Sequence, residues 1–345
     1  MSSPLDDIEA QLTGPGGPFE VTTDVIDGVE MKVFASRFPS LRTVAEFGMS
    51  HADKTFIVFG DRRITFSEFF ADANSLGNHL RDDAGIGHGD RVAVLAQNTP
   101  EWCLTFWGTV SIGAVLVGLN GWWTTDEVLY GLEDSGARVL VADRKRFERI
   151  ADQLDEIVTE RVYLIDADPS EFGSHPKLHR FDELTADPTL ELPRPANGTE
   201  IDEADHAVIF YTSGTTGRPK GAISTHRSMI ANLQNTVFLL TANAISLANS
   251  GDSPPSPAGG QQVALFTSPL FHVSGCHSTL VVGVLGGLKL VMVDGKFEPR
   301  RALELIEAEG VTTWSTVPTM IWRTCQDPAR HDHDLSTVGS LAFGE

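Results

Sequence analysis

Positive charge is scarce in this chain: 26 lysines and arginines face 47 aspartates and glutamates, for a formal net charge of −21 at pH 7. A surface of that sign repels phosphate backbones and anionic lipid, which argues against a general nucleic-acid or membrane-surface protein. Cysteine is scarce too. Cys103, Cys276 and Cys325 are odd in number, widely spaced and in no metal-ligand pattern, so neither a disulfide framework nor a zinc site is expected and a reducing cytoplasm fits. Long apolar runs are also missing. The stretch from Leu280 to Val293 is broken by Lys289 and several glycines and falls short of the roughly 20 residues that span a bilayer, so it reads as a buried helix followed by a buried strand. The first residues, Met1-Ser-Ser-Pro-Leu-Asp-Asp, have neither the basic start nor the apolar core of a signal peptide, and a cytoplasmic location is expected.

What is there is length and rhythm. At 345 residues, 41% of them hydrophobic, the chain can fill two or three folding units. From Arg91 onward apolar runs alternate with helical patterns, the mark of βαβ units: strands at 91–96, 114–118, 138–142 and 161–165, with helices at 100–112, from Thr124 or Thr125, and at 145–157 between them. Thr124 or Thr125 is expected to cap its helix, Asp90 and Arg91 to form a salt-bridged turn, and Trp122 and Trp123 to pack across a turn. Residues 168–205 gather Pro, Asp and Glu and read as a connection with little regular structure. A helix over 225–240 is followed, from about 244 to 262, by a flexible surface insertion. The rhythm returns with strands at 263–267, 288–293, 311–317 and 340–343 and helices at 275–284 and 299–308.

The most informative run is Tyr211-Thr-Ser-Gly-Thr-Thr-Gly-Arg-Pro-Lys-Gly221, which leaves the buried strand His206–Tyr211. Gly214, Gly217 and Gly221 let backbone N–H groups approach anionic oxygens. Thr212, Ser213, Thr215 and Thr216 add hydroxyl donors, and Lys220 adds a compact charge. The run suits a polyphosphate. It is not a Walker A loop, because Pro219 and Gly221 flank the lysine where that motif needs Gly and Ser/Thr.

Position by position the run resembles the signature loop of the adenylate-forming superfamily, which includes acyl-CoA synthetases, adenylation domains of peptide synthetases and luciferases. Further elements are similar in order and spacing: Arg63–Phe69, Gly89–Asn98 with Pro100-Glu-Trp102, Gly113–Asn120, Pro269-Leu-Phe-His-Val-Ser-Gly275 and Val317-Pro-Thr-Met320. Gly121-Trp122-Trp123 replaces the more usual proline-containing continuation. The resemblance implies an α/β fold of two stacked subdomains, incomplete because the β-barrel part and C-terminal domain are missing. Residues 1–69 would pack with the second subdomain, 70–220 would form the first and end in the phosphate loop, and 221–345 would form the second.

It also implies activation of a fatty or other carboxylic acid to acyl-AMP with ATP and Mg²⁺, and transfer to coenzyme A. Thr212, Ser213, Gly214, Thr215, Thr216, Gly217 and Lys220 would hold ATP, with Lys220 the catalytic cation and Thr212 helping to hold Mg²⁺. Phe271, His272, Gly275, Cys276, Val317 and Thr319 would line the acid site. Some long-chain members carry a gating tryptophan where this chain has Cys276, which leaves chain length open. The chain stops at Glu345, where relatives begin their adenine-contacting segment, so an N-terminal fragment that does not turn over alone is expected. An acyl-AMP ligase loading a carrier protein and a non-catalytic nucleotide-binding scaffold remain as alternatives. A homodimer is left open.

Overall fold

The computed structural model describes residues 4–212, 217–251 and 260–343. The chain begins with α1 (Pro4–Thr13), an antiparallel hairpin of β1 (Val21–Ile26) and β2 (Val29–Phe34), and α2 (Leu41–Gly48). A second hairpin, β3 (Thr55–Phe59) and β4 (Arg62–Thr65), leads into α3 (Phe66–Asp82). Then come β5 (Arg91–Leu95), α4 (Pro100–Ser111), β6 (Val115–Gly118), α5 (Thr125–Ser135), β7 (Val139–Asp143), the four-residue α6 (Arg144–Phe147), β8 (Arg161–Ile165) and β9 (Leu178–Arg180). β10 (His206–Thr212) and β11 (Lys220–Thr225) precede the long α7 (His226–Asn249). The last part runs β12 (Val263–Phe266), α8 (Val273–Gly275), a π-helical turn (Cys276–Val281), α9 (Val282–Gly286), β13 (Lys289–Met292), α10 (Pro299–Glu309), β14 (Thr313–Thr316), α11 (Pro318–Gln326) and β15 (Ser340–Phe343).

Two sheets organise these elements. The first has the order β11-β10-β6-β5-β7-β8-β9, parallel except for the β10–β11 pair; the second has the order β15-β14-β12-β13-β3-β4, parallel except for β3–β4. Strands such as Arg91-Val-Ala-Val-Leu95 and Val139-Leu-Val-Ala-Asp143 are apolar at successive positions because helices cover both faces of the first sheet. One face packs α5 and the turns after α6 through Trp123, Val128, Leu132, Phe147, Ile150 and Leu154. The other shares a core with the second sheet, in which Trp102, Phe106 and Trp107 of α4 and Phe66, Phe69 and Phe70 of α3 are fully buried. The two α/β layers are therefore stacked through a common apolar middle. α10 closes the far side of the second sheet over Val58, Leu265, Val291 and Trp314.

Local chemistry explains several boundaries. Thr124 and Thr65 each form a capping box, with Glu127 and Glu68, at the starts of α5 and α3. Asp90 pairs with Arg138 at 2.6 Å, while Arg91 donates to the carbonyls of Ser135, Gly136 and Gly89.

The structure departs from the sequence reading in five places. The helix expected over 145–157 breaks where Ile150 (φ −121°, ψ 5°) leaves helical space, although Phe147, Ile150, Leu154 and Ile157 keep a helix-like burial spacing. The 168–205 connection contains β9 and short 3₁₀ turns. Lys220–Thr225 is a strand, although the loop was expected to run through Gly221. α7 continues to Asn249, past the expected start of the insertion at 244, because no Gly or Pro interrupts it; residues 252–259 lie outside the described residues. Pro318 opens a helix where only a strand end was expected, as proline does at a first helical position. Among the described residues no helix is long and apolar enough to cross a membrane.

Candidate functional site

β10 and β11 form an antiparallel pair whose facing ends, Thr212 and Lys220, bound the run expected to bind phosphate. Thr212 pairs with Lys220 in the last rung and Tyr211 with Gly221 in the one before. Side chains alternate along a strand, so Thr212 and Lys220 share the sheet face of Phe210, and Tyr211 lies on the other. Tyr211 anchors that second face: its hydroxyl donates to Asp134 Oδ2 at 2.7 Å and its ring meets Trp123 at 5.2 Å. Burial, then the bond to Asp134, push its phenol pKa upward. Arg218 lies 5.1 Å from the centre of the Tyr130 ring, which holds one end of the loop against α5.

On the Phe210 face, Thr212 is exposed and its hydroxyl donates to the Lys220 carbonyl at 3.5 Å. Lys220 is exposed, and its ammonium has no hydrogen bond or ion pair to any described residue. Gly217 has φ +89°, a left-handed value that favours glycine, with open space where a Cβ would be. Ser213, Gly214, Thr215 and Thr216 lie outside the described residues. Magnesium demands a near-octahedral shell of oxygens. Among the described residues no group of three or more His, Cys, Asp or Glu could hold a metal, and Thr212 contributes one hydroxyl. The described residues alone do not make up a magnesium site.

The Phe271–His272 loop follows β12 and reaches the same strand ends. Phe271 is half-buried, meets the exposed Trp122 ring edge-on at 5.4 Å, and would lie 3.2 Å, through its Cα, from a Cβ placed on Gly118 of β6. His272 is exposed beside the Ser274 hydroxyl at 3.4 Å. Gly275 is buried where a Cβ would stand 2.1 Å from the Pro269 carbonyl oxygen, so the turn into the helix requires glycine. Cys276 is fully buried, and burial pushes its thiol pKa well up, which leaves it a packing residue and no nucleophile. Val317 and Thr319 are exposed at the start of α11.

Two features escaped the sequence reading. His277 is buried in the π turn, its ring 5.7 Å from that of Phe210, and neither ring nitrogen has a hydrogen-bond partner among the described residues. Burial, with His272 adding to it, pushes its pKa down to about 4, so it is neutral at pH 7. The sequence held a second histidine five residues after His272, but nothing in the pattern around it showed that its ring would be buried.

The other feature is a cavity of about 720 Å³ between α7, the π turn with α9, and the face of the second sheet. Val237, Leu240 and Leu247 of α7 and Val282 and Leu285 opposite contribute its hydrocarbon. The six residues expected for the acid site are not among those lining this cavity, although Ser278 and Thr279, shortly after Gly275 and Cys276 in the chain, are.

Residues 44–345 match the model of the AMP-binding enzyme family. The 4-coumarate–CoA ligase CCL1 of Humulus lupulus is 29% identical over 263 residues, 76% of this chain and 44% of its own. The long-chain-fatty-acid–CoA ligase of Bacillus subtilis (strain 168) is 27% identical over 312 residues, 85% of this chain and 52% of its own. The chain thus spans about half the length of the curated relatives it matches. In fold it is similar to the anthranilate CoA ligase AuaEII in complex with anthranoyl-AMP, with a TM-score of 0.73 at 24% identity over 89% of this chain and 55% of that one. The N-terminal domain of FACL13 from Mycobacterium tuberculosis gives 0.71 at 22% identity over 89% of this chain and 70% of that one. A glycine- and hydroxyl-rich run between two paired strands, two stacked α/β layers and a match over most of its length lead to one conclusion: the chain belongs to the AMP-binding family of adenylate-forming enzymes.

Proposed function

We propose that the protein containing this chain activates a carboxylic acid with ATP and passes the acyl group to coenzyme A. In the first step a carboxylate oxygen attacks the α-phosphorus, the bond to the β-phosphate oxygen breaks, and acyl-AMP and pyrophosphate form. In the second a thiol sulfur attacks the acyl carbon, loses its proton, and AMP leaves. Two anions meet in the first step, so its rate depends on holding them in line and neutralising the charge that gathers on the leaving pyrophosphate. The observation that carries this reading is the Lys220 ammonium, unpaired among the described residues and set by strand pairing on the same face as Thr212 and Phe210. Thr212 and Lys220 would flank the leaving phosphates, and the Phe271–His272 loop would border the acid. The cavity has a size within the usual range of about 300–1,000 Å³ for small-molecule sites, and its hydrocarbon from α7 and α9 supports a largely apolar acid. The names of the relatives leave fatty and aromatic acids both in view.

The test is acid-dependent ATP–pyrophosphate exchange by the full-length protein over a panel of fatty and aromatic acids. Lys220→Met should lower exchange about a hundredfold, the size expected for losing one charge-stabilising group, without shifting the thermal melting curve. Undiminished exchange would remove Lys220 from the reaction. No exchange with any acid would sink the reading itself.

A further inference from the structure

The second sheet contains a strand whose composition does not suit its place. Inner strands of parallel sheets are covered on both faces and are apolar throughout. β12 (Val-Ala-Leu-Phe) obeys this rule, and so does β13 after its first residue (Lys-Leu-Val-Met). β14, paired on both sides by β12 and β15, reads Thr-Trp-Ser-Thr. Trp314 turns to the α10 side, where it is buried. Thr313 and Ser315 turn the other way, into the 720 Å³ cavity. Ser340, the register partner of Thr313 on β15, extends the row, and Ser278 of the π turn also lines the space. None of these four hydroxyls is hydrogen-bonded to a described residue. The cavity therefore combines hydrocarbon, most of it from α7 and α9, with hydroxyls on β14, β15 and the π turn that have no partner among the described residues.

We propose that this cavity selects an acid carrying a hydroxyl or keto oxygen on an otherwise hydrocarbon body, in preference to an unsubstituted alkyl acid of the same length. The inference rests on the acid-activating function proposed above and names the substrate class for it. A plain alkyl tail would strip water from Thr313, Ser315, Ser340 and Ser278 and return no hydrogen bond, and unmet buried polar groups are costly. A hydroxyl or keto oxygen facing the row restores the lost bonds, while the α7 and α9 wall takes the hydrocarbon side. Sites that hydrogen-bond a substrate oxygen reject the analogue lacking it far more strongly than an apolar pocket distinguishes one methylene.

The experiment uses the full-length protein and ATP–pyrophosphate exchange, with matched pairs of acids: alkyl and ring-containing acids with and without one hydroxyl or keto group away from the carboxylate. At least one oxygenated acid should exceed its unsubstituted partner about tenfold or more in kcat/KM. A Thr313→Val, Ser315→Ala double variant, with its fold checked by circular dichroism and thermal melting, should bring that ratio toward one, mainly through KM for the oxygenated acid. Exchange that favours the unsubstituted member of every pair overturns the proposal and leaves acid activation standing, and so does a double variant that lowers both members of a pair equally. Exchange with no acid at all overturns the underlying function and this proposal with it.

Discussion

The two sheets use the same βα construction and finish their surfaces differently. In the first, the inner strands β5, β6, β7 and β8 are covered on both faces and most of their side chains are fully buried, whereas its edge strand β11 is mostly exposed. The second leaves an open space between β14 and α7, where Leu240 and Leu247 of α7 stay exposed. Packing that fills both faces fixes positions; packing that stops short leaves room for a ligand. The β10–β11 hairpin that carries Thr212 and Lys220 belongs to the first sheet and the cavity to the second, so the exposed cation and the room for a ligand come from different halves of one molecule.

The comparison can be broken most directly by one substitution made twice. Leu140→Ala, in β7 where no surface is exposed, should destabilise by about 2–5 kcal/mol. Leu240→Ala, on the cavity wall at 60% exposure, should stay within about 0.5 kcal/mol. Urea unfolding of the 345-residue chain measures both, and equal losses would erase the distinction.

Acid should act next. His226, buried at the start of α7 where its Nδ1 accepts from the Leu41 N–H at 3.1 Å, and His277 in the π turn are both pushed down by burial from 6.5 to about 4. Between those values the unfolded chain binds protons that the folded chain refuses. Stability is thus fully present above pH 6.5 and falls as pH drops toward 4, by about 1.4 kcal/mol per pH unit for each histidine at most. Unfolding midpoints from pH 7 to 4.5 should show this slope, and His226→Gln and His277→Gln should each flatten part of it. A slope unchanged in both variants would assign acid sensitivity to other groups.

A smaller effect joins the halves. A Cβ on Gly118 would meet the Phe210 ring at 2.5 Å and Phe271 Cα at 3.2 Å. Gly118→Ala should therefore cost about 1–3 kcal/mol and raise KM for the acid as the Phe271 loop shifts; a raised KM at unchanged stability would show that the loop gives way and the core does not. The smallest difference concerns helix starts. Thr124→Ala in α5 and Thr65→Ala in α3 should each cost about 1 kcal/mol, with closely similar changes in melting temperature, since both capping boxes use the same bonds.

Much of this was legible in the sequence, and the reasons differ by element. β5, β7 and β8 are apolar runs between polar borders, so burial wrote them plainly. β15 was placed at 340–343 from the same kind of pattern. β11 was not legible because Lys-Gly-Ala-Ile-Ser-Thr has little strand character of its own and is mostly exposed; its partner β10 makes it a strand. α11 was hidden behind Val317, which belongs to the preceding strand pattern, although Pro318 is a helix-start signal. For the site, residue types pointed to anion binding at Lys220 without revealing which sheet face it takes. The cavity could not be read at all, because its walls come from segments up to about a hundred positions apart, from Val237 to Ser340.

The Thr212–Lys220 rung has one more consequence. A hairpin works as a ruler with two-residue gradations, and its lysine is set at a given mark. Sliding β11 by one residue against β10 would send the charge through the sheet to the side of Tyr211, while a slide of two would keep the side and change the height. Evolution or an engineer can therefore vary the tip of this loop more freely than the parity of the strand that follows it.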